Sequence, residues 1–387
     1  MIKKIILLPL VSLSVGTAVG FFLYTLERTI VFFESYWMWL IWFLPAVALV
    51  VGYIETKKQA HRFGDTESLL AEVKNPLKHV HWFLAPWIYL TTLVYHWAGA
   101  SVGRESSAIQ MSGSIAESLG RLLSIDYRDR PILIRTGLAA GFGAAFGVPW
   151  AGTVFSLESA WTKRKGDWLW APFYLASSWG AYLWTGFLNI HHSHWQSLEI
   201  NFYDFRFSSY AVFAGALILI CLLYEFLFKT LATYLKMIPW WLRLGGAALM
   251  ILGLTLWVGL PRYNSLGLDL LHQSFQSPSS WQDAFKKLVF TFISTVAGMK
   301  GGEVTPLMAS GALWGSWLSQ QVPVLSFQLG AAVGLVSLFC SRLRIPVTGT
   351  IMLVEFFGWK AALVGAPILL LTEAGHRQFF SKKSSEV

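Results

Sequence analysis

The chain has 387 residues, of which 55% are hydrophobic and only 13% charged, and its mean hydropathy is +0.52. A soluble domain carries about 25% charged residues, so this composition excludes an ordinary soluble domain and predicts an all-α polytopic membrane protein. The net charge of +9 does not read as a nucleic-acid surface, because the basic residues cluster beside apolar runs: Lys3-Lys4, Lys57-Lys58 with Arg62, Lys163-Arg164-Lys165, and Lys382-Lys383. Such clusters flank membrane helices on the cytoplasmic side. They place a multi-pass protein in the cell inner membrane or plasma membrane, with both termini cytoplasmic.

In chain order, Met1-Ile-Lys-Lys opens an apolar run that continues through Phe22 without a small-residue cleavage site. It reads as the first membrane helix, not a removed signal. Apolar segments follow near 5–25, 37–54, 81–101, 132–147, 149–161, 168–189, 210–235, 239–260, 284–298, 305–319, 326–340, 346–357 and 360–372. Several are shorter than the roughly 20 residues a spanning helix needs. Short helices at membrane depth must bury their ends in protein or a wet cavity, so broken, re-entrant helices are expected. Two stretches read as wet, 55–80 and 190–207. The organisation expected is a first membrane repeat over 1–190, a polar link over 191–207, a second repeat over 208–375, and a short cytoplasmic tail over 376–387. His191, His192 and His194 read as a solvated loop, since no ligand spacing accompanies them. Cys221 and Cys340 read as buried thiols. No metal site and no cofactor are expected.

The two halves repeat each other. Gly137, Gly141, Phe146, Pro149, Gly152 and Glu158 are answered by Gly330, Gly334, Phe339, Pro346, Gly349 and Glu355. The step from Pro to Gly is three in both halves, and the step from Pro to Glu is nine in both. An internal repeat of apolar segments interrupted by Gly and Pro is the mark of a transporter with a midplane site. Glu158 and Glu355 can be a second proton station or a symmetric structural feature.

The richest motif runs from Gly99 through Gly103-Arg104-Glu105-Ser106-Ser107 to Gln110 and Gly113. A Gly-rich turn leads into an apolar helix, so Glu105 lies at a helix N-terminus. Unpaired N–H groups and the helix dipole there favour an anion, whether a carboxylate or a dissolved ion. A carboxylate that can occupy or vacate such a spot is both gate and proton carrier. It can equally be a plain first-turn cap. The counterpart is Gly298-Met-Lys300-Gly-Gly302-Glu303-Val304-Thr305-Pro306. Pro306 suits a first turn. The Thr305 hydroxyl can donate to an anion or cap the helix.

These motifs resemble the CLC chloride channel and antiporter family. Gly103-Arg104-Glu105, Gly302-Glu-Val-Thr-Pro306 and Phe146-Gly-Val-Pro149 through Glu158 stand in that family's order, from about residue 60 to 372. The runs Ala98–Glu105, Lys300–Leu307 and Thr350–Gly358 resemble its bacterial fluoride-exporting branch. The resemblance implies a CLC-like inverted repeat of broken and re-entrant helices, a homodimer, and one anion pathway per subunit. It implies that Glu105 gates and exchanges protons, and that Val304 and Thr305 line the anion site. Gly103, Arg104 and Met308 join that site. Glu158, Ser159, Glu303 and Thr350 are secondary candidates.

The chain departs from the chloride antiporters at Ser159, where they carry a second acid, and at Ser106-Ser107, where they carry Gly-Pro. Their early serine-rich anion motif is not recognisable near 64–72. Leu307-Met308-Ala309 lacks the Phe of the fluoride branch. The function expected is fluoride/proton antiport across a lipid bilayer; the alternative is a chloride/proton antiporter or a passive chloride channel of the same fold. An enzyme is not expected: the chain has no His-Glu-x-x-His pair and no Asp pair in its apolar segments. A scaffold would not need two symmetric Gly-interrupted helix starts.

Overall fold

The computed structural model describes residues 2–58, 66–74, 80–126, 129–159, 167–190, 192, 195, 197–198, 206–322 and 325–381. Among them are helices and turns, with no strand. The first half holds α1 (Ile2–Leu40), α2 (Leu44–Lys58), α3 (Thr66–Lys74), α4 (Leu84–Trp97), α5 (Glu105–Leu122), α6 (Arg130–Phe146), α7 (Pro149–Glu158) and α8 (Ala171–Phe187). The second holds α9 (Phe207–Leu235), α10 (Trp240–Val258), α11 (Leu268–Gln276), α12 (Trp281–Val296), α13 (Val304–Gln321), α14 (Phe327–Leu343), α15 (Pro346–Phe357) and α16 (Trp359–Ser381).

Among the described residues, three stretches are long and apolar enough to cross a membrane: Leu7–Lys57, Phe207–Leu235 and Trp240–Val258. The others are short. At 1.5 Å per residue, the ten residues of α7 and the twelve of α15 reach about 15 and 18 Å, well under a hydrocarbon core of about 30 Å. Their ends must therefore find partners inside the protein.

They find each other. Pro149 starts α7 and has no N–H to leave unpaired. The next two amides, of Trp150 and Ala151, donate to the Glu355 carboxylate at 3.0 and 2.7 Å. Reciprocally, the amides of Val347 and Thr348 at the start of α15 donate to Glu158 at 2.8 and 2.6 Å, and the Thr348 hydroxyl adds a bond of 2.6 Å. Each acid stands near the end of one short helix and caps the start of its counterpart in the other repeat. Glu158 and Glu355 are thus placed symmetrically, as reciprocal helix caps.

Small residues let the paired helices approach closely. A Cβ on Gly137 of α6 would stand 2.5 Å from the Ser112 carbonyl of α5. In the second half, Gly311 and Gly315 of α13 meet Gly330 and Gly334 of α14 backbone to backbone. With no hydrophobic drive between helices in lipid, such close packing supplies the association energy.

Three expectations need correction. The first apolar segment, expected to end near 25, runs on as helix to a kink at Tyr36 (φ −124°, ψ 20°), and the second expected segment begins just past that kink. Glu27 and Arg28 face outward while Leu26 and Phe33 stay buried, so the polar residues mark a helix face, not a break. The stretch 55–80 is not simply wet: Leu69 and Val73 of α3, and Val80, are buried in the core. Helix α11 had no apolar signal because it is a short amphipathic piece, burying Leu270, Leu271 and Ser274. At the C-terminal end, α16 continues past 375 to Ser381, and His376 is buried with its Nε2 2.9 Å from the Ser341 hydroxyl.

The start of α1 and the end of α16 lie at one end of the bundle. Glu158, closing α7, bonds the start of α15. Arg344, just past α14, pairs with Glu373 near the end of α16 at 2.9 Å. Leu7 and Leu8 of α1 share a cleft with Trp170, just before α8. Lys236, Arg342 and Arg377 sit at or near helix ends on this same side. The clusters at Arg62, 163–165 and 382–383 lie outside the described residues.

Candidate functional site

Two helix starts meet near the centre of the bundle. Helix α5 begins at Glu105 and α13 at Val304. The first helical bond of α5 runs from the Ala108 N–H to the Arg104 carbonyl, and that of α13 from Leu307 to Glu303. The amides before those donors have no partner within their helices. The loops leading in are joined by the Gly103 N–H donating to the Gly302 carbonyl at 2.8 Å. Gly302 has φ +83°, and a Cβ there would collide with Ser106. Only glycine fits where the second loop crosses the first.

The Glu105 side chain is 2% exposed. Thr305 donates its hydroxyl to one carboxylate oxygen, Glu105 Oε2. The Arg104 guanidinium Nε donates to the other at 3.1 Å, and the Arg104 amide reaches Oε2 at 3.3 Å. The acid thus lies across both helix starts, held by two side chains and one amide.

Three cavities surround it. A small one of about 40 Å³ is bounded by Arg104, Glu105, Phe146, His192, Thr305 and Met308. It shares Phe146, His192, Trp195 and Phe356 with a larger one of about 460 Å³, whose wall also holds Tyr182 and Glu355. This outer cavity lies at the end of the bundle away from the termini. On the terminal side a cavity of about 510 Å³ reaches inward to Ser106, Ser107 and Gln110. Its wall is charged: Lys300 pairs with Glu55 at 3.4 Å, and Arg342 with Glu303 at 2.9 Å and Glu225 at 3.6 Å. Glu105 faces one side and its neighbours Ser106 and Ser107 face the other. The start of α5 is the partition between two wet spaces.

Of the residues expected at the site, Gly103, Arg104, Glu105, Thr305 and Met308 come together here. Val304 stands beside them, its amide close to Gly103 and its side chain in the core. Glu303 faces the terminal-side cavity, opposite Glu105. Glu158 caps α15, Ser159 bonds the Phe155 carbonyl at 2.5 Å, and Thr350 bonds the Pro346 carbonyl at 2.9 Å; none of the three touches Glu105. The stretch 64–72 is described only from Thr66, where α3 packs by Leu69 against Gly113.

Sequence reasoning missed several wall residues. His192 is a half-buried loop residue that packs on Gly147 and lines two cavities. An irregular link has no periodicity from which this could be read. His191 and His194 lie outside the described residues. Arg342 is part of the wall of the terminal-side cavity, while Arg344 pairs with Glu373 at the surface. The spelling Gly99-Ala-Ser101-Val-Gly103 matches a hydrolase nucleophile elbow. Here it is a loop between helices, and Ser101 is fully buried against Lys287 and Thr291, with no imidazole bonded to it.

The family profile described as voltage gated chloride channel matches residues 57–372. The chain is 31% identical over 385 residues to a chloride/fluoride channel protein of Pseudomonas syringae pv. tomato, covering 94% of this chain and 82% of that one. It is 32% identical to the H(+)/Cl(-) exchange transporter ClcA of Cronobacter sakazakii over a shorter stretch, 32% of this chain and 28% of that one. Among solved structures, a CLC-type fluoride/proton antiporter superposes with a TM-score of 0.87 at 26% identity, covering 95% and 93% of the two chains. A slow cyanobacterial Cl-/H+ antiporter shares the fold, with a TM-score of 0.82 at 17% identity over 96% and 94%. With the profile spanning most of the chain and the fold matching throughout, this protein belongs to the voltage-gated chloride channel (CLC) family and is one of its membrane anion transporters.

Proposed function

We propose that the protein is a fluoride/proton antiporter that exports fluoride, with Glu105 as the gating and proton-exchanging glutamate. The observation that carries this reading is the Glu105 carboxylate lying across two helix starts, between cavities that open toward opposite ends of the bundle. Ionised, the carboxylate occupies the place a small anion would take, satisfied by Thr305 and Arg104. A proton arriving through the outer cavity neutralises it and weakens both bonds, so the side chain leaves and an anion entering past Ser106 and Ser107 takes its donors. Return of the ionised carboxylate expels the anion and releases the proton on the other side. The acid and the anion compete for one set of donors, which couples their movements.

Fluoride is favoured over chloride by the Glu303–Pro306 element and Ser159, and by the names of the relatives: a chloride/fluoride channel protein and a fluoride/proton antiporter. The basic helix ends on the terminal side support a cytoplasmic placement of both termini. A homodimer, with one pathway in each subunit, completes the reading. The test is reconstitution of purified protein into liposomes loaded with fluoride or chloride, read with ion-selective electrodes and a pH dye. Fluoride efflux that draws protons inward against their gradient is the expected result. Chloride flux equal to or faster than fluoride flux would overturn the substrate, and anion flux that moves no protons would overturn the antiport.

A further inference from the structure

The loop that presents Glu105 is held by a lysine that the exchange described above does not use. Lys287 of α12 is fully buried. Its Nζ donates to the Ser101 hydroxyl at 3.0 Å, the Ser265 carbonyl at 2.8 Å and the Tyr263 carbonyl at 3.1 Å. Three oxygens around one nitrogen match the three protons of an ammonium, and all three are neutral groups. The fold makes room for the stem. Gly267 has φ +73°, and a Cβ there would stand 2.6 Å from Lys287 Cε. Ser101 lies four residues before Glu105, in the loop from Gly99 to Gly103. It is a serine at nucleophile distance from a lysine, but both side chains are fully buried, and the lysine protons are all directed at oxygens. The arrangement is a clamp.

The Gly99 and Ala100 amides donate back to the His96 and Tyr95 carbonyls of α4; the ties beyond them come from the second repeat. Ser294 accepts from the Ser101 N–H at 3.1 Å, and the Thr291 hydroxyl lies 3.2 Å from that of Ser101. Asn264 donates to the Gly99 carbonyl at 2.7 Å, and the Ser265 N–H to that of Ala100 at 3.1 Å. Helix α12, which carries Lys287, runs on through Gly298–Gly302 to the start of α13, where Thr305 stands. One side chain therefore ties the approach to Glu105 to the helix that leads to its partner.

We propose that Lys287 is the positioning residue for Glu105: its ammonium locks the loop from Gly99 to Gly103 onto α12 and sets where the carboxylate meets the anion path. The proposal rests on Glu105 as the proton-exchanging acid. The charged and titratable groups on the surrounding elements include Tyr95 and His96 on α4, Arg104 and Glu105 at the start of α5, Arg262 and Tyr263 before α11, Asp269 and His272 on α11, and Asp283 and Lys286 on α12. None of the acids bonds Lys287. His96 is fully buried, with no partner on either ring nitrogen, and is within electrostatic reach of Lys287 and Arg104.

The test uses the full chain in liposomes and compares Lys287→Met, Lys287→Arg and wild type. Removing a buried positive charge makes a proton easier to hold nearby. Lys287→Met is expected to move the midpoint of proton uptake upward by about one pH unit, a tenfold change in proton affinity, and to uncouple anion from proton flux. Lys287→Arg, which keeps charge and donors, is expected to restore most of the wild-type profile. Hydrogen exchange provides a readout that needs no transport: amides from Gly99 to Ala108 should exchange at least tenfold faster in Lys287→Met, while those at the start of α7 stay unchanged. A Lys287→Met protein with the wild-type pH profile and wild-type exchange in the loop would overturn the proposal. A shift that disappears on a His96→Asn background would also overturn it, by assigning the effect to the imidazole. Wild-type protein that moves no protons sinks the antiport reading instead, and the exchange rates then decide the clamp alone. If Lys287→Met does not fold, Lys287→Gln, which keeps two donors without the charge, takes its place with the same criteria.

Discussion

Carboxylates cap helix starts in two regions of this molecule, and the two arrangements differ in what donates to them. At the junction of α7 and α15, Glu355 and Glu158 each accept from two consecutive backbone amides of the opposite repeat. Those donors cannot turn away, so the acids act as fixed staples. At the meeting of α5 and α13, Glu105 is held chiefly by the Thr305 hydroxyl and the Arg104 guanidinium. Both are side chains that can rotate, and cavities wait on the outer and terminal sides. The lesson is that burial and a helix dipole do not by themselves make an acid mobile; the donors do.

The contrast can be broken at its centre first. Glu105→Gln removes the charge that competes with the anion and the group that carries the proton, so anion-driven proton movement in liposomes should stop altogether. If this variant still pumps protons uphill, the mobile acid is elsewhere. Next comes its partner. Thr305→Ala removes a hydrogen bond to a charged group, worth about 1.5–3 kcal/mol, so apparent anion affinity should fall roughly ten- to hundredfold. Thr305→Ser should recover it; unchanged affinity in the alanine variant takes Thr305 off the path.

The staples should respond in a different observable. Glu158→Ala leaves the Val347 and Thr348 donors without their acceptor and should cost about 1.5–3 kcal/mol of stability. The melting temperature in detergent should drop by several degrees while the proton-to-anion ratio stays at the wild-type value. A changed ratio would make Glu158 a proton station and dissolve the comparison. The smallest effect is expected at the charged terminal-side wall. Lys236→Met should slow anion entry by roughly two- to threefold at low ionic strength and by less at high salt, since long-range steering is screened. A salt-independent loss would mean that Lys236 contacts the ion directly.

Much of this was legible in the sequence because the relevant constraints are local. Glycines before Glu105 and before Thr305, and Pro149 and Pro346 at equal distances from Glu158 and Glu355, spell helix starts in any membrane protein. What stayed hidden depends on which repeat faces which. The nine-residue step to Glu158 shows that it is symmetric with Glu355, but not that each acid caps the other repeat's helix. Lys287 reads as one more lysine near a helix start, since its acceptors lie 22, 24 and 186 positions away. His192 gives no signal because a link without periodicity carries no face. The extension of α1 was lost to the opposite error: Glu27 and Arg28 lower the hydropathy of a segment whose inner face remains apolar.

The crossed caps also say something about how the protein is made. The amide of Ala151 is matched by a carboxylate 204 residues further along the chain. At the roughly 5–20 residues per second of synthesis, that acceptor leaves the ribosome some ten to forty seconds later. Until then the first half holds a bare helix start that lipid cannot hydrogen-bond. The first half must therefore wait, with α7 in a watery or chaperoned setting, and the last step of assembly is the closing of one half onto the other. A truncated product ending before Glu355 would be marked by those open amides, giving membrane quality control a physical cue to its incompleteness.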